Sequence, residues 1–234
     1  METLFRDDPY AQSCEATVTA VDERGIQLDR TVFYPTGGGQ PGDSGCLRGP
    51  EGDIEIVNAI KGDGPDGVIH VPAEGVAAPA VGSTVTAELD WQRRHRLMRM
   101  HTCMHLLSAA LAYPVTGGQV GDGKGRLDFD IPEAVLDKEE ITAELNRLIA
   151  GDHPISSEWI SDAELAAQPE LVKTMSVKPP TGAGQVRLIR IADLDLQPCG
   201  GTHVARTGEI GSVEVRKIQK KGRLNRRVSL VFAD

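Results

Sequence analysis

The chain has 234 residues, with 25 Lys and Arg against 34 Asp and Glu, a formal net charge of −9 at pH 7. A hydrophobic fraction of 40% is ordinary for a globular protein, and no apolar run approaches the roughly 18–20 residues that cross a bilayer. The acidic start, Met1 to Asp8, has no signal-peptide core, so no membrane partner is expected. Four cysteines scattered at 14, 46, 103 and 199 argue for a reducing, cytoplasmic setting rather than a disulfide scaffold.

The acidity is uneven. Residues 1–90 carry a net −11 and residues 91–234 a net +2, so the overall charge speaks against a nucleic-acid partner only for the first ninety residues. The length suits two small domains, and the boundary is placed near Asp90, giving 1–90 and 91–234.

Along the first part, Glu15–Val21, Gly25–Tyr34, Asp53–Ile60, Gly67–Val71 and Ser83–Leu89 read as short strands, separated by glycine and proline clusters. Five or six strands without a helix predict a small barrel or sandwich. Among them sits Tyr34-Pro35-Thr36-Gly37-Gly38-Gly39-Gln40-Pro41-Gly42-Asp43. No Gly-Lys-Ser/Thr follows, so it is not a Walker phosphate loop; by its residues alone it reads as a glycine turn.

Trp91 to Ala112 is the clearest helix, free of Gly and Pro until Tyr113-Pro114 stops it. Leu97, Met100, Met104, Leu107 and Leu111 make an apolar stripe, with Met98, His101, His105 and Ser108 on the neighbouring one. Arg93, Arg94, Arg96 and Arg99 load its first half with charge that the helix dipole disfavours; they read as a solvated face or a polyanion contact. Strand-like pieces follow around Gln119 and at Arg126–Asp130. A helix opens at Asp137-x-x-Glu140 and runs to about Ala150, and a shorter one opens at Ser161-x-x-Glu164. Gln185–Ile191 reads as a strand, and Glu209–Gln219 with Arg227–Phe232 as a closing hairpin around a basic turn. The expected class is α+β: a small N-terminal β-barrel, then an α+β domain with antiparallel sheet.

Two pairs of metal-ligand side chains stand out: His101 and His105, and Cys199 and His203 within Cys199-Gly200-Gly201-Thr202-His203. Positions four apart on a helix share one face, so both imidazoles of the first pair can reach one ion. The glycines of the second pair disfavour a helix and predict a tight turn. Three nitrogens and one sulfur suit tetrahedral Zn²⁺, one per chain. Four protein ligands lean towards a structural ion, whereas catalytic zinc keeps a position open. The metalloprotease pattern fails, because Thr102 stands where His-Glu-x-x-His has its glutamate base. Any hydrolysed bond must therefore be labile, an activated ester rather than a peptide.

On His101-Thr102-x-x-His105-Leu106-Leu107, Cys199-Gly200-Gly201-Thr202-His203-Val204, Arg126-Leu127-Asp128-Phe129-Asp130, Gln119-x-Gly121 and the glycine-rich Phe33–Asp43, the chain resembles the alanyl-tRNA editing family. That family comprises the editing domain of alanyl-tRNA synthetase and freestanding relatives. The glycine-rich motif resembles the longer freestanding form with a β-barrel before the editing domain, and no aminoacylation domain is expected before residue 1. Two departures are Met100 before the first histidine and the loose Gly121-Asp122-Gly123-Lys124-Gly125 after Gln119.

The resemblance implies a trans-editing hydrolase that deacylates tRNA(Ala) mischarged with serine, with His101, His105, Cys199 and His203 as zinc and catalytic residues. It gives Gln119 a role in substrate handling and the glycine motif, with Gly38 and Gly39, a role in discrimination. A site that hydrogen-bonds the serine hydroxyl rejects alanine by leaving its own polar group unpaired, for which Gln119, Thr102 and Thr202 are the candidates. Arg216, Lys217, Lys220, Lys221, Arg223, Arg226 and Arg227 are the candidates for phosphate contacts. No obligate protein partner is expected. The alternatives are editing of seryl-tRNA(Thr), and a non-catalytic RNA-binding module with structural zinc.

Overall fold

The computed structural model describes residues 1–131, 136–175 and 184–233. The chain divides into two compact units, Met1–Arg96 and Leu97–Asp234. The division falls inside the first long helix.

In the first unit, β1 (Glu2–Thr3) pairs in parallel with β4 (Arg30–Thr31). Six antiparallel strands close a barrel in the order β2 (Ser13–Asp22), β3 (Gly25–Leu28), β7 (Val68–Pro72), β6 (Gly52–Lys61), β5 (Gly45–Gly49) and β8 (Thr84–Leu89). Their inward positions, among them Val18, Ile26, Leu28, Leu47, Ile56, Val85 and Ala87, form one buried cluster with Phe5, Phe33 and Tyr34. Closure leaves no long open edge to pair with another chain. The strand read from Gly25 to Tyr34 breaks after Leu28, because Val32–Tyr34 leave the ladder to sink into the core. Strand β5 escaped the sequence reading: it has two glycines in five residues and little β propensity, and its place is set by its neighbours.

The glycine-rich segment is a tight turn. Gly37 and Gln40 exchange backbone hydrogen bonds of 3.0 and 2.9 Å, and Gly38 and Gly39 take φ of +57° and +85°. A two-residue turn with positive φ at both central positions is what two glycines supply without strain. Thr36 Oγ1 accepts from Gly42 N at 2.8 Å, and the Tyr34 hydroxyl donates to Gly37 O at 2.8 Å, tying the loop down.

Helix α1 (Trp91–Leu111) starts where Asp90 Oδ1 accepts from Arg93 N at 3.1 Å. It ends as predicted, at Ala112 with φ +50° before Tyr113-Pro114. Its early arginines are not a solvated face. Arg94 is fully buried and pairs with the equally buried Asp43, its Nε lying 2.9 and 3.0 Å from the two carboxylate oxygens. It also donates to Val32 O at 2.7 Å and Pro9 O at 3.1 Å.

In the second unit α1 is buried nearly all round from Leu97 to Ser108, so the stripe of Met98, His101, His105 and Ser108 is as enclosed as the apolar stripe beside it. Arg99 lies 4.2 Å from the Phe232 ring centre and donates to Ile210 O at 2.9 Å. A four-stranded antiparallel sheet runs β14 (Val213–Lys220), β15 (Asn225–Phe232), β10 (Lys124–Asp130), β9 (Val115–Gly121). It presses on α1 so closely that a Cβ on Gly125 would sit 2.8 Å from the sulfurs of Met100 and Met104.

Helix α2 (Lys138–Ala150) has the predicted Asp137 cap, accepting from Glu140 N at 2.8 Å. Its Asn146 and Thr142 side chains bond Val213 and Val215 of β14, satisfying that edge. The predicted hairpin is present, but Thr207–Ile210 forms a 3-10 turn and the strand opens only at Val213.

A second sheet, β11 (Ile155–Ser161), β12 (Gln185–Ile191) and β13 (Asp195–Pro198), was half missed, since Ile-Ser-Ser-Glu-Trp-Ile-Ser carries a weak strand signal. One face packs Ile160, Val186, Leu188 and Leu196 with Leu165 of α3 (Asp162–Ala166), which has the predicted Ser161–Glu164 capping box. The other face carries Arg187, Asp195 and Gln197. The α+β class with a small barrel is thus the architecture found, and no helix among the described residues is long and apolar enough to cross a membrane.

Candidate metal centre

The two predicted pairs meet. Ligand atoms of His101, His105, Cys199 and His203 all lie within 4.8 Å of one another, with the histidines buried and Cys199 half-buried. Cys199 Sγ is 3.6 Å from His101 Nε2 and 3.3 Å from His203 Nε2. Cys199 and His203 project from a turn after β13, as the glycines predict, and the turn is pinned from below. Arg187 donates from Nη1 to Gly201 O at 2.9 Å and Cys199 O at 3.3 Å, and Gly201 N points at Cys199 Sγ at 3.4 Å.

Each of two histidines is held by its other nitrogen. His105 Nδ1 lies 2.9 Å from Asp195 Oδ2. That carboxylate is buried and also accepts from Gln197 Nε2 at 2.7 Å and from Lys173 Nζ. An acceptor at Nδ1 fixes the tautomer that leaves Nε2 free as a donor to an ion. His203 Nδ1 lies 3.1 Å from Thr102 Oγ1, which also accepts from Val204 N at 3.3 Å. Thr102 is therefore a support for a ligand. Its hydroxyl is fully buried.

Charge follows this wiring. Burial alone raises the Cys199 thiol, but His101 and His203 beside it hold it well below its ordinary value of 9.0. Burial and the charge of His101 push His203 down to about 3. Burial also lowers His105, yet Asp195 and Cys199 outweigh it and bring it to about 9. Burial would raise Asp195; His105 and Lys173 hold it below 3.8. The cluster therefore sets a thiolate at Cys199 beside a neutral imidazole at His203, two of the protonation states that a metal requires, while His105 gives up its proton on binding an ion. Three imidazoles and one thiolate at these separations fit Zn²⁺. Cys103, inside the His101–His105 stretch, is buried in apolar surroundings that push its thiol up to about 12, so it stays a packing residue.

Other predicted residues are elsewhere. Gln119 is exposed on β9, opposite Arg126, and accepts from Arg126 Nε at 3.2 Å. It alternates with Gly118, whose absent side chain makes room for Met104, so it faces away from α1. Thr202 is buried next to the ligand His203. Of the basic hairpin, Arg216, Lys217, Lys220, Lys221 and Arg223 are exposed. Arg227 is committed to Asp128 at 2.7 and 2.8 Å, and Arg226 donates to the carbonyls of Gly222, Arg223 and Asn225. Sequence reasoning missed Asp195, Gln197, Lys173 and Arg187; only the Asp195-x-Gln197 alternation just before the Cys199 motif hinted at side chains on one face.

Residues 186–229 match a family model for the second additional domain of threonyl- and alanyl-tRNA synthetases, and residues 5–93 match one for class II (A) tRNA synthetases. The chain is 33% identical to the alanyl-tRNA editing protein AlaX-M of Methanosarcina acetivorans, over 100% of this chain and 99% of that one. The chain belongs to the alanyl-tRNA editing protein family. The AlaX-M protein of Methanosarcina barkeri is 35% identical over the same shares. An alanine–tRNA ligase of Halobacterium salinarum matches 94% of this chain at 34% identity, with only 24% of the ligase covered. In this chain the candidate metal cluster lies in the second unit and the glycine-rich turn in the first.

Proposed function

We propose that this protein is a cytoplasmic trans-editing deacylase that removes serine from mischarged tRNA(Ala), with one Zn²⁺ held by His101, His105, Cys199 and His203. The observation that carries the reading is the cluster itself, four ligand atoms within 4.8 Å, in a chain whose full-length relatives are named alanyl-tRNA editing proteins. The barrel, 1–90, and the editing domain, 91–234, act together as one chain, with no obligate protein partner.

The reaction adds water across an aminoacyl ester. The water oxygen bonds to the carbonyl carbon as its bond to the ribose oxygen breaks, and the ribose oxygen takes the proton to become a hydroxyl. When bound, the ion polarises a carbonyl or acidifies a water. Asp195 holds the His105 ring, Thr102 holds His203, and Arg187 fixes the Cys199–Gly201 backbone. No carboxylate base follows His101, which suits an ester, a bond labile enough to need none. Gln119, Thr102 and Thr202 are the candidates for the serine hydroxyl, and Gly38 and Gly39 contribute to substrate binding. Arg216, Lys217, Lys220, Lys221 and Arg223 face the RNA phosphates, whereas Arg226 and Arg227 hold the hairpin in shape.

Incubating seryl-tRNA(Ala) with the zinc-loaded protein should release serine. His101→Ala should lose the metal and fall to the buffer rate. Equal release by the two proteins and buffer sinks the deacylase reading and leaves a structural ion. Equal rates on alanyl-tRNA(Ala) remove the serine specificity alone.

A further inference from the structure

We infer that the indole of Trp159 is a stacking surface for the nucleobase of the nucleotide that carries the aminoacyl ester. The inference rests on the deacylase reading and adds a contact to it.

Strand register places this side chain. Trp159 on β11 is directly opposite Arg187 on β12. Pairing of β12 with β13 runs past Leu188–Pro198, since Cys199 N donates to Arg187 O at 3.0 Å. Residues directly opposite in antiparallel strands share a face, so Trp159, Arg187 and Cys199 form one row across the sheet. The next rows on that face are Ser157, Ile189 and Gln197, then Ile155, Ile191 and Asp195, the carboxylate that holds His105. Trp159 therefore shares the face that supports the metal cluster. Its neighbour Ile160 is on the opposite face, packed against the Leu165 core.

Two further observations give the row a direction. Cys199 is the one half-buried ligand of the four and Gly200 beside it is exposed, so the cluster opens on this side. The Arg187 guanidinium is tied to the carbonyls of Cys199 and Gly201, which leaves the indole, 44% exposed, as the accessible surface of the row. Two strand spacings separate β11 from β13, about 10 Å. That is comparable to the reach from an acyl carbonyl on a ribose hydroxyl to the base of the same nucleotide. An aromatic ring there meets the π-face of the base whatever its identity, and such stacks lose about 5- to 150-fold in affinity on truncation to alanine.

Single-turnover deacylation by the zinc-loaded chain tests this with seryl-tRNA(Ala), intact or lacking only its 3′-terminal base. Trp159→Ala should raise the half-saturating concentration of intact substrate by about 5- to 150-fold while the plateau rate stays within about threefold. Trp159→Phe should restore it. The wild type should discriminate against the abasic substrate, and Trp159→Ala should handle both substrates alike. An unchanged half-saturation with normal deacylation overturns the stacking and spares the deacylase reading. No deacylation by the wild type overturns both. Should Trp159→Ala fail to fold, equal half-saturation of the wild type by the two substrates is itself enough to reject the stack.

Discussion

His70 and His105 are both buried histidines, and the partners of their ring nitrogens separate them. In the barrel, His70 Nδ1 donates to Ile26 O at 3.0 Å, and its Nε2 accepts from Thr31 Oγ1 at 2.8 Å, a hydroxyl that itself accepts from Phe33 N. Both nitrogens are spent on backbone and hydroxyl, and burial pushes the ring down to about 4. His105 gives one nitrogen to a charged carboxylate, turns the other to a thiolate, and is raised to about 9. The lesson extends to other buried polar groups. Those of the first unit, Arg94 with Asp43 included, close their hydrogen bonds on the fold. The four residues of the cluster instead bring ligand atoms together within 4.8 Å.

The sharpest way to break that contrast is to remove Arg94. Truncating one partner of a buried ion pair leaves the other charged and desolvated, so Arg94→Ala should cost about 3–5 kcal/mol in urea unfolding. In protein that remains folded, the zinc content should match the wild type; a loss of zinc without unfolding would erase the distinction.

Next is the pH dependence of His70. Its folded value of about 4 lies below the ordinary 6.5. Because the unfolded ring takes up a proton first, the contribution is complete above pH 6.5 and is lost as pH falls towards 4. It amounts to roughly 3 kcal/mol, since each tenfold change in a protonation equilibrium is worth about 1.36 kcal/mol. The stability difference between wild type and His70→Gln, measured at several pH values, should shrink over that window. A flat difference would mean that the ring is not held neutral by burial.

Asp195→Asn tests the other side of the comparison. Losing the carboxylate behind His105 should weaken zinc affinity about 10- to 100-fold in chelator competition. The Co²⁺-substituted protein should show a shifted visible spectrum. An unchanged affinity would reduce Asp195 to a packing role. The smallest effect concerns exposed charge. Replacing Lys220, Lys221 and Arg223 together should lower the salt slope of tRNA binding by about one for every phosphate no longer neutralised. Replacing Arg227, whose charge is spent on Asp128, should leave the slope alone and cost stability instead.

The four residues of the cluster were legible because their spacing within each pair is local: one helical turn for His101 and His105, one glycine turn for Cys199 and His203. The helix caps at Asp137 and Ser161 were legible for the same reason. Strand β11 was not, because its weak β signal is overruled by pairing with β12. The arginines of α1 were misread because a charged residue looks alike in sequence whether it meets water or a buried carboxylate such as Asp43.

By itself, then, the sequence determined the fold class, the helices with their caps, the donor set of the candidate metal centre and the family. Local spacing and short-range hydrogen bonds decide those properties, and they survive without knowledge of the fold. Only the tertiary structure decided which side chains stand behind the ligands. Asp195 meets His105 across 90 residues of chain, Arg187 reaches the Cys199 turn through strand register, and Trp159 joins that row from an edge strand. A one-residue slip in any of those pairings would turn these groups to the opposite face, so nothing short of the register could have named them.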